Sequence, residues 1–252
     1  MMGKKSGNFD LKTANECDNL AEMLAQYDDI QWPAKKIALT GDGRVGKGAL
    51  EVLQKAGILE VSVDDFKSKT YDQAVFCVLK TTDIYRNADG TSIDLSSFYN
   101  DPGSVVNAFS DFYECTDVLI HGIYWDFRAP ALFTKEEADS DTFSIKLISD
   151  ITCDVEGSIP FTYEQTSIEK PYISVDPKNG NLSDGFTKES MDIMAVGNLP
   201  NELPKDASDN FGEVFSEIII PELLKPESKL LDNATICKNG KLTEKFSYLE
   251  EW

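Results

Sequence analysis

The chain has 252 residues, enough for one large domain or for one domain with an appendage. Hydrophobic residues make up 41% of it, which suffices for a packed core, and no apolar run is longer than a strand, so no membrane-spanning helix is expected. With 44 acidic and 24 basic residues the net charge is −20, which argues against binding to nucleic acid or to an anionic membrane.

The predicted elements begin with a helix over residues 13–27. From residue 34 onward, short apolar strands alternate with helical segments, which is typical of a parallel sheet with crossover helices. The predicted strands span residues 37–39, 58–63, 74–79, 118–123, 145–151 and 193–196. The predicted helices span residues 45–55, 104–113, 135–138 and 206–219.

Two polar, turn-rich segments, residues 80–102 and 160–188, are expected to be irregular, and Asn-Gly at residues 239–240 predicts a hairpin. The predicted fold class is α/β, a doubly wound Rossmann-type parallel sheet with flanking helices. Residues 1–33 are expected to form a linker and helix, residues 34–204 the dinucleotide-binding domain, and residues 205–252 a C-terminal helix and tail that belongs to a discontinuous second domain.

The strand at residues 37–39 runs directly into Gly41-x-Gly43-x-x-Gly46 and then into a helix. In dinucleotide-binding proteins the first glycine allows the tight turn, the second lets the backbone approach the pyrophosphate, and the third lets helix and strand pack closely. The helix N-terminus offers unpaired N–H groups to the same anion. An ordinary turn is the alternative, but the flanking strand and helix favour a nucleotide site.

Asp64 and Asp65 follow the next predicted strand, about 20 residues beyond the glycines, where a ribose-binding carboxylate is expected. A carboxylate there would repel a 2′-phosphate, so the sequence predicts NAD rather than NADP as the cofactor. The alternative is that one or both residues form a solvated turn or cap the next segment.

The five cysteines are scattered without a metal-binding or redox spacing, which predicts no metal site and a reducing, cytoplasmic location. The first residues lack the apolar run of a signal peptide. His121, the single histidine, ends an apolar strand with no partner nearby in sequence, and we interpret it as a structural residue.

Three further motifs follow the glycine loop: Gly122-Ile-Tyr-Trp-Asp-x-x-Ala-Pro130, Ser149-Asp-Ile-Thr-Cys-Asp154-x-x-Gly-Ser-Ile159 and Asn198-Leu-Pro-x-x-Leu-Pro-x-x-Ala-Ser208. With Gly41-x-Gly-Arg-Val-x-x-Gly-Ala49 they resemble, in order, the cofactor-binding half of the saccharopine dehydrogenase (lysine-forming) and lysine–2-oxoglutarate reductase family, which is related to alanine dehydrogenase. The resemblance covers nearly the whole chain. It implies an NAD(P)-dependent oxidoreductase that interconverts saccharopine with lysine and 2-oxoglutarate.

Carried over residue by residue, the resemblance implies cofactor contacts at Gly41, Gly43, Arg44, Val45, Gly122, Ile123, Tyr124, Asp150, Asn198 and Leu199, with Asp64 or Asp65 at the ribose. Asp154 matches an aspartate near the reacting centre of alanine dehydrogenases and is the candidate catalytic residue. Each of these side chains also has a structural interpretation as a core, cap or turn residue.

The family places the lysine and histidine used for proton transfer in a domain before the glycine loop, and residues 1–35 contain no histidine. We therefore expect this chain to bind a nucleotide but not to turn over an amino-acid substrate alone. It could be a domain of a longer protein, one half of a split enzyme whose N-terminal catalytic domain acts in trans, or a non-catalytic nucleotide-binding module. Alanine dehydrogenase-like deamination and homo-oligomerisation stay open.

Overall fold

The structure is a computed structural model, and it describes residues 1–251. These residues form two compact units, Met1–Glu202 and a second unit that begins at Leu203. Among the described residues, no helix combines the length and apolar character needed to cross a bilayer.

The first unit contains helices on a central sheet. Its elements are α1 (Met2–Ser6), a 3₁₀ turn (Ala14–Glu16), α2 (Leu20–Ala25), β1 (Lys36–Thr40), α3 (Arg44–Lys55), β2 (Leu59–Glu60), α4 (Val63–Ser68), β3 (Val75–Leu79), α5 (Thr81–Ile84), β4 (Tyr85–Asn87), α6 (Leu95–Asn100), a 3₁₀ turn (Pro102–Ser104), β5 (Val105–Asn107), α7 (Ser110–Tyr113), β6 (Val118–His121), α8 (Lys135–Ala138), β7 (Leu147–Asp150), β8 (Ile173–Val175), β9 (Met191–Met194) and a 3₁₀ turn (Leu199–Glu202).

The second unit is helical with one small hairpin. Its elements are α9 (Pro204–Val214), a π-helical turn (Phe215–Ile219), α10 (Ile220–Leu223), α11 (Lys229–Ala234), β10 (Cys237–Lys238), β11 (Lys241–Leu242) and a 3₁₀ segment (Glu244–Glu251). The predicted hairpin is confirmed. β10 and β11 pair antiparallel, and Asn239 and Gly240 at its tip both adopt the left-handed backbone conformation.

The central sheet has seven strands in the order β2-β3-β1-β6-β7-β9-β8. The strands from β2 to β9 pair in parallel, and β8 joins the edge antiparallel to β9. The chain leaves β1 toward one side of the sheet, to β2 and β3, and later continues on the other side with β6 and β7. This confirms the α/β class and the Rossmann-type parallel sheet, and the strand order reverses between β1 and β6.

Both faces of the sheet are covered, because alternate side chains of β1 enter different apolar clusters. Ile37 and Leu39 pack with Leu53 of α3, while Ala38 faces the opposite cluster. Trp32 and the first two methionines pack on the α3 side, and the Trp32 indole donates a hydrogen bond to the Ala56 carbonyl at 2.8 Å. The N-terminal segment is therefore part of the same compact unit as the sheet.

The helix predicted over residues 13–27 is wrong in its continuity. It is split into the 3₁₀ turn and α2, because the Asn19 side chain caps a new helix by accepting a hydrogen bond from the Glu22 amide.

The strand predicted over residues 58–63 is also too long. It ends at Glu60, because Ser62 caps α4 through the Asp65 amide. Asp64 and Asp65 therefore lie in the first turn of a helix rather than at a strand end.

The helix predicted over residues 104–113 is correct only in its last turn. Val105 and Val106, which are β-branched, form strand β5 against β4. The Asn107 side chain then accepts a hydrogen bond from the Phe109 amide and directs the chain into α7. The segments predicted to be irregular likewise contain short elements, namely α5, β4 and α6 in residues 80–102 and β8 in residues 160–188.

Candidate nucleotide-binding site

A crevice lies outside the carboxyl ends of β1, β6 and β7, at the point where the strand order reverses. In open parallel α/β sheets this is where ligands bind. The loop after β1 carries the glycines and leads into α3, and the loop after β6 carries Gly122 and the aromatic residues that follow it. The two loops therefore face each other across neighbouring strands.

Three glycines let the two loops approach at backbone distance. A Cβ atom on Gly46 would lie 1.9 Å from the Gly41 carbonyl oxygen, and one on Gly41 would lie 3.0 Å from the Gly122 oxygen. Gly41 also has a φ of +98°, a conformation that L side chains rarely adopt. Gly43, in contrast, has open space where its Cβ would be, which leaves room for a ligand above the loop.

A cavity of about 420 Å³ brings several of the predicted site residues together. Its walls are formed by Val45, Gly122, Ile123, Tyr124, Trp125, Ile151, Thr152 and Asp154. Tyr124 is 79% exposed, so its ring is open to solvent at this cavity. Arg44, the first residue of α3, is also exposed.

Asp154 is exposed in the loop after β7. Partial burial, followed by the nearby charge of Asp150, raises the pKa of the Asp154 carboxyl. Two neighbours in this loop, Cys153 and Glu156, have positive φ of 48°, which is uncommon for residues with side chains. The surrounding structure therefore holds the backbone on both sides of Asp154 in an uncommon conformation.

Asp150 itself lies beneath this loop and is 1% exposed. Its two carboxylate oxygens accept hydrogen bonds from the hydroxyls of Thr152 and Thr162, each at 2.7 Å. Asp150 therefore stabilises the loop after β7 through these two hydrogen bonds. The Asp150 side chain is not among those that line the cavity.

The sequence did not reveal that His121 is a buried link between three segments. Its Nδ1 lies 2.8 Å from the Thr40 hydroxyl and its Nε2 lies 2.8 Å from the Ser158 hydroxyl. The Thr40 oxygen also accepts a hydrogen bond from the Gly122 amide at 3.3 Å. Each ring nitrogen thus has a hydroxyl partner, so the neutral imidazole supports the glycine loop and the Gly122 loop together.

Asp64 and Asp65 do not join the crevice. They lie in α4 after the edge strand β2, and β3 separates β2 from β1. The strand next to β1 is β3, and its Leu79 carbonyl accepts a hydrogen bond from the Gly41 amide at 2.8 Å. The residue that follows β3 beside the glycine loop is Lys80.

Asn198 and Leu199 follow β9, farther along the carboxyl edge of the sheet. Leu199 lines a separate cavity of about 490 Å³ with residues that include Met23 and Tyr27 of the N-terminal segment. Ile151 borders both cavities, so they are neighbours. No group of three or more His, Cys, Asp or Glu side chains within residues 1–251 is arranged to hold a metal ion.

Burial lowers the pKa of His121 to about 4, although the nearby Asp150 charge opposes the shift. The unfolded chain takes up a proton near the ordinary value of 6.5, so acid favours the unfolded state between these two values. We expect wild-type protein to lose about 3 kcal/mol more stability than His121→Gln between pH 7 and pH 4. Urea unfolding of both proteins across this range measures the difference.

The proton NMR signal of this single histidine gives an independent measurement. It should show no titration above pH 5 in the folded protein. A midpoint near pH 6.5, or parallel stability curves for the two proteins, contradicts the assignment of a neutral, buried imidazole.

Known proteins related to the chain agree with the motifs, although no family model matches it. Mitochondrial alpha-aminoadipic semialdehyde synthase of Rattus norvegicus is 29% identical over 244 residues, covering 84% of this chain and 26% of the relative. The Arabidopsis thaliana synthase is 30% identical over 234 residues, covering 83% of this chain and 22% of the relative.

Saccharopine dehydrogenase [NAD(+), L-lysine-forming] of Emericella nidulans is 24% identical over 135 residues, covering 52% of this chain and 33% of the relative. The chain spans about a quarter of the length of the synthases that it matches. The sequence motifs and these relatives agree, and both support the resemblance of this chain to the saccharopine dehydrogenase (lysine-forming) and lysine–2-oxoglutarate reductase family.

Proposed function

We propose that this chain binds a nicotinamide dinucleotide in the crevice and forms the cofactor-binding part of an oxidoreductase that acts on the CH–NH group of saccharopine. The observation that carries the proposal is the close packing of Gly41, Gly46 and Gly122 at the reversal of strand order. Homology to lysine-forming saccharopine dehydrogenase supports the substrate class.

The pyrophosphate would lie at the start of α3. Gly43 is the N-cap of this 12-residue helix, and it leaves open space where a side chain would stand. Because Gly43 has no side chain to cap the helix, the first N–H groups of α3 and the positive end of its dipole are available to an anion. The residues present therefore fit a dinucleotide phosphate.

The nicotinamide half would lie toward β6 and β7, over the cavity wall formed by Ile123, Tyr124 and Ile151. Hydride transfer to or from the substrate carbon is the chemistry that the cofactor supplies when bound. The chain's own contribution is to orient the ring and to exclude water from one side of it. The position of Asp154 beside the reacting centre stays a prediction. A catalytic role for its carboxyl group, whose pKa is raised, also stays a prediction.

The adenosine ribose would lie on the other side of the glycine loop, at the carboxyl end of β3. Strand order therefore favours Lys80 over Asp64 and Asp65 as its neighbour, because β2 lies two strands, or about 10 Å, from β1. The carboxylate nearest to Lys80 in sequence, Asp83, accepts a hydrogen bond from the Lys80 backbone amide at 2.7 Å. This arrangement supports NADP(H) rather than the NAD predicted from sequence, because a lysine attracts the 2′-phosphate.

Cooperation with a catalytic domain, in the same polypeptide or in trans, belongs to the proposal. So do a cytoplasmic location and self-association. The expected lack of turnover by this chain alone is checked by incubating it with saccharopine and NAD(P)⁺ and recording the absorbance of reduced cofactor.

Gly46→Ala should weaken NADPH and NADH binding at least about tenfold, because its Cβ would overlap the Gly41 carbonyl oxygen and displace the phosphate loop. Gly48→Ala is a matched control in the same helix, where the new methyl group meets open space. Both changes bring the same gain in helix propensity, about 1 kcal/mol. Fluorescence titration of the reduced cofactors measures affinity, and circular dichroism verifies folding; equal affinity in both variants contradicts the proposed loop.

Lys80→Ala should weaken NADPH binding roughly tenfold and leave NADH binding nearly unchanged, since only NADPH carries the 2′-phosphate. Lys55→Ala removes the same charge from the last turn of α3, far from the glycine loop, and serves as the control. The same titrations apply, at constant ionic strength. Loss of NADH affinity in Asp64→Asn or Asp65→Asn would instead return the ribose site to those carboxylates.

A further inference from the structure

A cavity of about 320 Å³ opens at the amino edge of the sheet, opposite the nucleotide crevice. Lys35 directly precedes β1, Asp117 precedes β6 and Lys146 precedes β7, while Lys188 lies just before β9 and Lys5 reaches in from α1. The five residues of β1 separate this edge from the glycine loop by about 16 Å. The cavity is therefore distinct from the proposed cofactor site.

Two of the four lysines already have carboxylate partners. Lys5 lies 2.8 Å from the buried carboxylate of Asp192, and Lys35 lies 2.6 Å from Asp117. The other two, Lys146 and Lys188, form no ion pair or side-chain hydrogen bond within residues 1–251. The cavity thus carries excess positive charge in a chain whose net charge is −20.

Lys146 is the most informative of these residues, because its side chain is half-buried. Burial, together with the positive charges of Lys5 and Lys178, lowers the pKa of its ammonium group, while Glu189 and Asp176 oppose the shift. Neither carboxylate forms an ion pair with Lys146, so an anion bound directly beside this half-buried cation would be favourable.

The lining residues indicate which anion fits. The cationic groups in the lining are all lysines, which act as point-charge donors and suit a tetrahedral phosphate. The lining includes no arginine that could bind a planar carboxylate through two parallel hydrogen bonds. Apolar side chains such as Val118 and Leu147 complete the wall, and the volume suits a small ligand. We propose that this cavity binds a small phosphate monoester through Lys146 and Lys188.

The test follows backbone amide signals in ¹H–¹⁵N NMR spectra while inorganic phosphate, glycerol 3-phosphate or glutarate is added at constant ionic strength. We expect saturable shifts at Lys35, Asp117 and Lys146 with both phosphates. Lys146→Met with Lys188→Met should weaken this binding at least about tenfold. The control, Lys238→Met with Lys241→Met, removes two exposed lysines from the C-terminal hairpin and should leave it unchanged.

Folding of the double variant is checked by its melting temperature, which should not fall, because the methionine at residue 146 keeps the apolar stem and removes an unpaired charge. Phosphate-induced shifts confined to residues 41–45 overturn the proposal, since the anion would then occupy the glycine loop alone. Equal binding by the Lys146 and Lys188 variant also overturns it. Shifts at this cavity with glutarate but not with the phosphates reject the phosphate assignment in favour of a dicarboxylate.

Discussion

The close approach of two backbone segments, the turn between β1 and α3 and the loop after β6, determines the geometry of the candidate site. A Cβ atom on Gly46 would lie 1.9 Å from the Gly41 carbonyl oxygen, and Cβ atoms on Gly41 and Gly122 would make tight contacts of 3.0 and 3.1 Å. A larger residue at Gly46 would push α3 away from the end of β1. The contact therefore holds the helix N-terminus at the edge of the crevice, where its N–H groups can act on an anion.

Buried polar side chains support this contact from below. His121 joins the hydroxyls of Thr40 and Ser158, and Asp150 binds two threonine hydroxyls of the loop after β7. Each of these buried groups has a hydrogen-bond partner, which offsets the free energy lost when the group leaves water. The hydrogen bonds also restrict the end of β1 and the loops after β6 and β7 to one arrangement. A site that must align a nicotinamide ring with a substrate carbon benefits from such rigidity.

Both proposed binding sites would hold phosphate groups on an acidic protein. A net charge of −20 repels phosphates at long range, so a site for them needs local positive potential. At the carboxyl edge of the sheet this potential comes from the start of α3 and from Lys80. At the amino edge it comes from Lys35, Lys146 and Lys188, which precede β1, β7 and β9, and Lys146 forms no ion pair among the described residues.

The sequence by itself determined the features that depend on neighbours along the chain. The glycine spacing, the apolar strand before it, the amphipathic face of α3 and the hairpin at Asn239 are local patterns, and each is present in the structure. The order of the four motifs also indicated the same resemblance that the relatives support. Short-range capping was harder to predict, because Asn19 and Ser62 end or restart an element with a single hydrogen bond.

Only the tertiary structure decided which strands are neighbours. Sequence distance from the glycines pointed to Asp64 and Asp65, but β3 lies between β1 and β2 and brings Lys80 to the glycine loop instead. The partners of His121 were equally hidden, since Thr40 and Ser158 are 81 and 37 residues away. Strand order and buried hydrogen bonds arise from packing between segments that are distant in sequence, so a local pattern of residues cannot predict them.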